Sequence, residues 1–330
     1  MKQRDFVFLS VFLFVIFTFT STVHAQASSA MLPGLYSECD FCLCSQGISP
    51  LDMGGSALRF DTRYTELSQQ YSSGLRVPNP ANARETYLTN SLSLTEGIAS
   101  GLCATIIVPF AHKTESSTDP ANSLANISNS GIGDISLLAR YNLIADHQFA
   151  DTRIVAITAG VKLANGSTAL LDNGAPADPD VQLGTGTTDF FAGLGAQLGF
   201  DSWSIGAHAL AGIRGPGSGA AGHVYGNNLN YDLSGRYRIF QKEGLDPNAI
   251  NPAIFAAFGV RGEWRDYELQ DGQRIGDSGG NVLYATPGLQ IFFTPRVSLD
   301  ASAWLPVAHA LNGDQLGETI KILAGLQMGL

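Results

Sequence analysis

Gly317-Glu-Thr-Ile-Lys-Ile-Leu-Ala-Gly-Leu-Gln-Met-Gly-Leu330 ends the chain. In an extended backbone Ile320, Ile322, Ala324, Leu326, Met328 and Leu330 fall on one face, and Lys321, Leu323, Gly325, Gln327 and Gly329 on the other. A soluble strand gains nothing by staying apolar to its last residue, because a free terminus frays into water. A strand paired on both sides inside a bilayer does gain, since it turns one row to lipid and the other to a wetter interior. The stretch therefore predicts the closing strand of a transmembrane β-barrel, with Lys321 pointing inward.

The same two-faced pattern recurs upstream. Leu58, Phe60 and Tyr64 alternate with Arg59, Asp61 and Arg63, and Ile135, Leu137, Ala139 and Tyr141 alternate with Asp134, Ser136, Arg140 and Asn142. Leu229, Tyr231, Leu233, Tyr237 and Ile239 alternate with Asn228, Asn230, Asp232, Ser234, Arg236 and Arg238. Ile254, Ala256, Phe258, Val260 and Trp264 alternate with Phe255, Gly259, Arg261, Glu263 and Arg265, and Val297 to Leu305 repeats the rhythm against Ser298, Asp300, Ser302 and Trp304. These segments predict an all-β fold, an antiparallel barrel of about twelve strands. The expected spans are 57–67, 86–96, 101–112, 132–144, 152–163, 187–199, 203–213, 224–240, 252–267, 281–293, 296–307 and 317–330.

The connections test this independently, because outer-membrane barrels have short periplasmic turns and long external loops. With both ends of the barrel in the periplasm, the external connections are 68–85, 113–131, 164–186, 214–223, 268–280 and 308–316, all expected to be long. The others include 97–100, 200–202 and 294–295, with 145–151 and 241–251 as longer exceptions. A soluble sandwich has no reason to alternate in this way.

The other terminus supplies the route. Lys2 and Arg4 precede the apolar run from Phe6 to Phe19, and Val23-His24-Ala25 offers small residues for cleavage after Ala25. Residues 1–25 read as a signal peptide, 26–55 as a Cys-containing periplasmic or plug-like segment, and 56–330 as the barrel. Loss of 1–25 removes two positive charges and one negative, moving the net charge from −10 to −11. An acidic chain argues against nucleic acid as a partner. The partners expected of such a barrel are outer-membrane lipid, lipopolysaccharide reached through cations on acidic loops, and a small organic solute.

The inward rows describe the interior. Arg59, Arg63, Arg140, Lys162, Arg236, Arg238, Arg261, Arg265 and Lys321 face Asp61, Asp134, Asp232, Glu263 and Asp300, so the expected lumen is basic. Excess acid then belongs in loops, at Asp172, Asp178, Asp180, Asp271 and Asp277. Arginine rows attract anions and stack on aromatic rings, which suits passage of anionic or aromatic solutes. The alternative is an internal salt-bridge network that fills a narrow barrel.

Several segments carry a resemblance. Ala104-Thr-Ile-Ile-Val-Pro-Phe110, Gly131-Ile-Gly-Asp-Ile-Ser-Leu137, Gly160-Val-Lys-Leu-Ala-Asn-Gly166 and Gln182-Leu-Gly-Thr-Gly-Thr-Thr-Asp189 are four of them. The stretch from Gly279 through Pro287-Gly-Leu-Gln290 and Trp304-Leu-Pro306 to Asn312-Gly313 is the fifth. In order and spacing they resemble bacterial outer-membrane proteins assigned as transporters of the MetA pathway of phenol degradation. Two positions depart: Ala164 stands where that family commonly has Pro, and Leu330 where such barrels commonly end on an aromatic residue. The resemblance implies an outer-membrane barrel for uptake of small organic compounds, without implying phenol.

Cys39, Cys42 and Cys44 crowd together, and Cys103 lies alone in the third expected strand. Leu43 stands where c-type haem attachment needs His, which argues against that cofactor. Export places the thiols where disulfides form, with three connectivities open, while thiolate capture of Cu(I) or Zn(II) is the alternative. Cys103 falls on the lumen face just past a periplasmic turn, so a tether from one of Cys39, Cys42 or Cys44 to Cys103 is expected. No cofactor is implied, and no enzyme: His24, His112, His147, His208, His223 and His309 stand beside no nucleophile motif. Three readings follow: a passive channel, a closed structural barrel, or a redox or metal-handling protein using the cysteine cluster.

Overall fold

The computed structural model describes residues 56–118, 127–147, 151–200, 202–215, 217–241, 252–294 and 296–330. The expected signal peptide, the 26–55 segment and Cys39, Cys42 and Cys44 lie outside these described residues. Twelve antiparallel strands close into one barrel. They are β1 Ser56–Ser72, β2 Arg84–Ala99, β3 Leu102–Ser116, β4 Ile127–Ile132 with Ser136–His147, β5 Asp151–Lys162 and β6 Asp189–Phe200. The circuit continues with β7 Trp203–Arg214, β8 Asn228–Gln241, β9 Ala253–Arg265, β10 Gly280–Ala285 with Gly288–Thr294, β11 Val297–Leu311 and β12 Asp314–Gly329. Each of the expected strands is present.

Closure lies between the first and last strands. β1 pairs with β12 from Ala57↔Gly329 through Arg59↔Gln327 to Thr65↔Lys321. The Leu330 amide then donates to the Ser56 carbonyl at 2.9 Å, so the terminal residue is tied into the wall. The faces divide as the alternation requires: Ile322 is 48% exposed, whereas Lys321 is 1% exposed. The whole barrel is inverted in this sense, with Phe258, Val260, Leu289 and Val307 outside and Arg59, Arg236, Arg261, Glu263 and Asp300 buried inside. Leaving one large apolar side chain in water forfeits about 1.5–3 kcal/mol. Repeated round the wall, that cost makes lipid the surrounding in which this fold is stable.

Two strands are broken, each beside a proline. Pro109 in β3 has no N–H, and pairing between β3 and β4 skips from Ile107↔Ser136 to Phe110↔Ile132. Across the gap the Gly133 amide donates to the Pro109 carbonyl at 3.0 Å, and Asp134 turns inward. Pro287 does the same to β10: pairing with β9 skips from Val260↔Ala285 to Ala257↔Gly288, bridged by Thr286 N–H to Gly259 O at 2.9 Å.

One connection differs from expectation. Residues 308–316 were expected to be a long external loop, but β11 runs to Leu311 and β12 starts at Asp314. Only Asn312 and Gly313 turn the chain, with Gly313 at φ +54°. The adjacent residues Leu283 and Tyr284 on β10 pair with Ala308 and Pro306, so Val307 is an extra residue on β11, and this bulge interrupts the alternation that marks a strand. The expected exception at 145–151 also shrinks, because β4 reaches His147 and β5 starts at Asp151.

Candidate functional site

The lumen is built from the inward rows, and most of the expected bases meet acids there. Arg59 on β1 clasps Asp61 and reaches Asp300 on β11, Nη1 to Oδ1 at 3.2 Å. Arg261 on β9 lies 3.4 Å from Asp232 on β8, and its guanidinium sits 4.0 Å over the Trp304 ring. His208 Nδ1 approaches the other oxygen of Asp232 at 3.4 Å. Lys321 donates to Glu263 Oε2 at 2.6 Å, stands 3.8 Å from Glu318, and lies 4.9 Å over the Tyr284 ring. The Tyr284 hydroxyl donates to the same Glu263 oxygen at 3.2 Å. Arg265, half exposed, is 3.6 Å from both Glu263 and Glu318.

At the outer rim Lys162 clasps Asp189 and stands 3.6 Å from Asp134, while Arg214 clasps Asp189 from β7. At the opposite end Arg238 reaches the periplasmic turn, 3.3 Å from Ser202 Oγ. Arg63 and Arg140 are half-buried on the inner rows, in register with Leu323 and Cys103. Arg236 is buried, donates to Gln290 and to Ser204 Oγ (3.3 Å), and lies 4.9 Å over the Phe255 ring. A cavity beside the β10 break is lined by Arg236, Arg261, Gln290, Asp300 and Trp304. It also touches Phe258 and Leu289 of the lipid-facing row.

The structure brings together more charge than the sequence reading placed inside. Asp189, Arg214, Lys113, Glu85, Glu115 and Glu318 also stand on inner rows, so the lumen has more acid than expected. Glu318 was missed because the β1–β12 register shifts twice between Glu66 and Gln69, which reverses the face on which it falls. Lys113 lay one residue beyond an underestimated strand end. Cys103 is half-buried on the inner row opposite Gly97 and Arg140, and its expected partners lie outside the described residues.

A family model described as "Putative MetA-pathway of phenol degradation" matches residues 82–307. The chain belongs to this family. Among solved structures, an outer membrane channel from Pseudomonas putida F1 matches 84% of this chain and 96% of its own, at 17% identity and TM-score 0.64. That likeness shows a shared barrel fold. The β domain of the Bordetella autotransporter BrkA (13% identity, TM-score 0.45) covers 84% of this chain and 99% of its own. A Pseudomonas aeruginosa FadL homologue (11%, TM-score 0.39) covers 83% and 90%. Both are too distant in structure to carry an argument. No curated protein matches. Its closed antiparallel wall, apolar outer rows and shared fold make the chain an outer-membrane β-barrel.

Proposed function

We propose that the barrel is a passive outer-membrane channel for small organic solutes, anionic or aromatic ones foremost. Its path runs past Arg59, Arg63, Arg140, Lys162, Asp232, Arg236, Arg238, Arg261, Glu263 and Arg265. One observation carries the reading: Arg236 and Arg261 border the same cavity, each with its guanidinium over an aromatic ring, at 4.9 Å and 4.0 Å. Alternating cation and ring surfaces recognise planar anions, because a guanidinium binds carboxylate in its plane and stacks on its face. Lipid and lipopolysaccharide surround the apolar belt, and residues 1–25 export the chain.

Liposome swelling with the purified protein tests this, using benzoate, glucose and an amino acid as probes. Arg236→Gln and Arg261→Gln are each expected to slow benzoate entry several-fold while sparing glucose. Equal loss for all probes, or no flux with or without residues 26–55, overturns the reading. The second reading, a closed structural barrel, is favoured by the ion pairs Arg59–Asp300 and Lys321–Glu263 that span the interior. It predicts no flux in any variant.

A further inference from the structure

Residues 164–188 leave the wall after β5 and return to it at β6, and between these points they fold onto the inner face of the barrel. Their neck is pinched. Gly166 and Gly184 approach so closely that a Cβ on either would collide with the backbone of the other. Asp134, turned inward by the β4 break, fixes this neck by accepting from Gly166 N–H at 2.8 Å and Thr185 N–H at 2.9 Å.

Beyond the neck, 167–183 is one small body. The Gln182 amide closes it from within, accepting from Leu170 N–H (3.0 Å) and donating to the carbonyls of Leu170 (3.0 Å) and Ala177 (3.2 Å). Ala177 and Val181 are buried in it, and Leu171–Asp172 pairs with Ala175–Pro176.

Two latches hold the lobe's far side. Lys113 on β3 donates to the carbonyls of Asp180 (2.9 Å) and Gln182 (2.7 Å), and its register neighbour Asn129 donates to Val181 O at 3.0 Å. Tyr225, from the β7–β8 connection, donates to Asp180 Oδ1 at 3.0 Å. β3 and that connection are separated by β4, β5, β6 and β7, so the lobe bridges the outer mouth.

The latched seam is crowded with acid. Asp178 and Asp172 lie on the lobe itself; Glu85 with Tyr87 on β2, Glu115 on β3 and Glu268 on the β9–β10 connection all act on it. The facing cations are Lys113 with Arg63 behind it, Arg214 beside Tyr225, and His223 against Glu268. We propose that the lobe 167–183 is a gate over the outer mouth, latched when the Asp180 carboxyl is protonated and released as it ionises among its acidic neighbours.

Desolvation and then Asp178 and Glu268 push the Asp180 carboxyl above its ordinary value. A carboxyl whose pKa is raised on closure supports closure fully below its free value of about 3.9. That support is lost as pH rises through the raised value, so acid latches and alkali releases.

The gate rests on the channel reading for its consequence, while its movement can be measured without any flux. Amide exchange of 167–185 in the full chain in nanodiscs, corrected for the chemical rate, is followed from pH 5 to 8.5. Protection is expected to fall about tenfold across this range, which is about 1.4 kcal/mol. Asp180→Asn keeps the Tyr225 contact and is expected to flatten the profile; Lys113→Met is expected to lower protection at every pH. A wild-type profile flat with pH, or Asp180→Asn titrating like wild type, overturns the gate. A moving lobe on a non-conducting barrel would sink the channel reading alone, and a static lobe on a conducting barrel would sink the gate alone.

Discussion

Lys321 Nζ stands 2.6 Å from Glu263 Oε2 although their strands, β12 and β9, are separated by β10 and β11. Both side chains are buried, so the pair braces the wall through the lumen rather than along a ladder. Removing one partner leaves the other charge only a longer contact, Lys321 to Glu318 at 3.8 Å or Glu263 to Arg265 at 3.6 Å, at a cost of about 1–3 kcal/mol. Lys321→Met and Glu263→Gln are each expected to lower the urea midpoint of the folded barrel, read by its heat-modifiable gel mobility. The double variant is expected to recover most of the loss. Additive losses would show that the two side chains act separately.

The Tyr231 ring covers Gly262 on the neighbouring strand β9, so closely that a Cβ at 262 would collide with the ring. The ring is also held at its tip, where Asn281 Nδ2 donates to the hydroxyl at 3.1 Å. Gly262→Ala is expected to cost about 1–3 kcal/mol by overpacking. Adding Tyr231→Leu should return part of it, because the obstructing ring is then gone. The same unfolding midpoint reads both. A neutral Gly262→Ala would mean that the ring moves aside freely.

Much of this was legible in the sequence because a barrel strand repeats every second residue, and that period survives wherever the wall is regular. Lys321, Arg261 and Arg59 were placed inside by parity alone. Parity failed at bulges and breaks. The shift between Glu66 and Gln69 hid Glu318, and the shift at Leu283 and Tyr284 made 308–316 read as a loop. Partners across the lumen were not legible at all, since Arg59 with Asp300 or Lys321 with Glu263 depends on which strands curve to face each other. The inward fold of 164–188 was hidden for a related reason: on the β3 side Lys113 and Asn129 hold it by backbone carbonyls, which leave no mark in side-chain patterning.

His223 and Glu268 join two external connections, Nε2 to Oε2 at 3.1 Å, beside the short pairing of His223–Val224 with Leu269–Gln270. Glu268 holds the imidazolium and raises its pKa above the ordinary value, against the opposing effect of burial. A histidine pKa raised by folding contributes stability that is full below about 6.5 and is lost as pH rises through the raised value. Amides of 223–224 and 269–270 are therefore expected to exchange faster, after correction for the chemical rate, at pH 8.5 than at pH 5.5. His223→Gln should remove that difference. Its persistence in the variant would assign the effect to other groups.

Cys103 lies one residue inside β3, next to the turn at 100–101 and on the inner row opposite Arg140. Export would place it in an oxidising compartment together with Cys39, Cys42 and Cys44. A disulfide requires the two Cα atoms to come within about 7 Å, so a tether here brings the 26–55 segment into the periplasmic mouth. Linking Cys103 to that cluster closes a loop of roughly sixty residues, worth about 4 kcal/mol in the chain-entropy account. Non-reducing peptide mapping is expected to find Cys103 joined to one of the three. Cys103→Ser is then expected to lower the unfolding midpoint only under oxidising conditions and to raise solute flux, as the segment is no longer held at the mouth. Recovery of Cys103 as an unmodified thiol from the exported protein would sink the tether and leave the three N-terminal cysteines to metal or to each other.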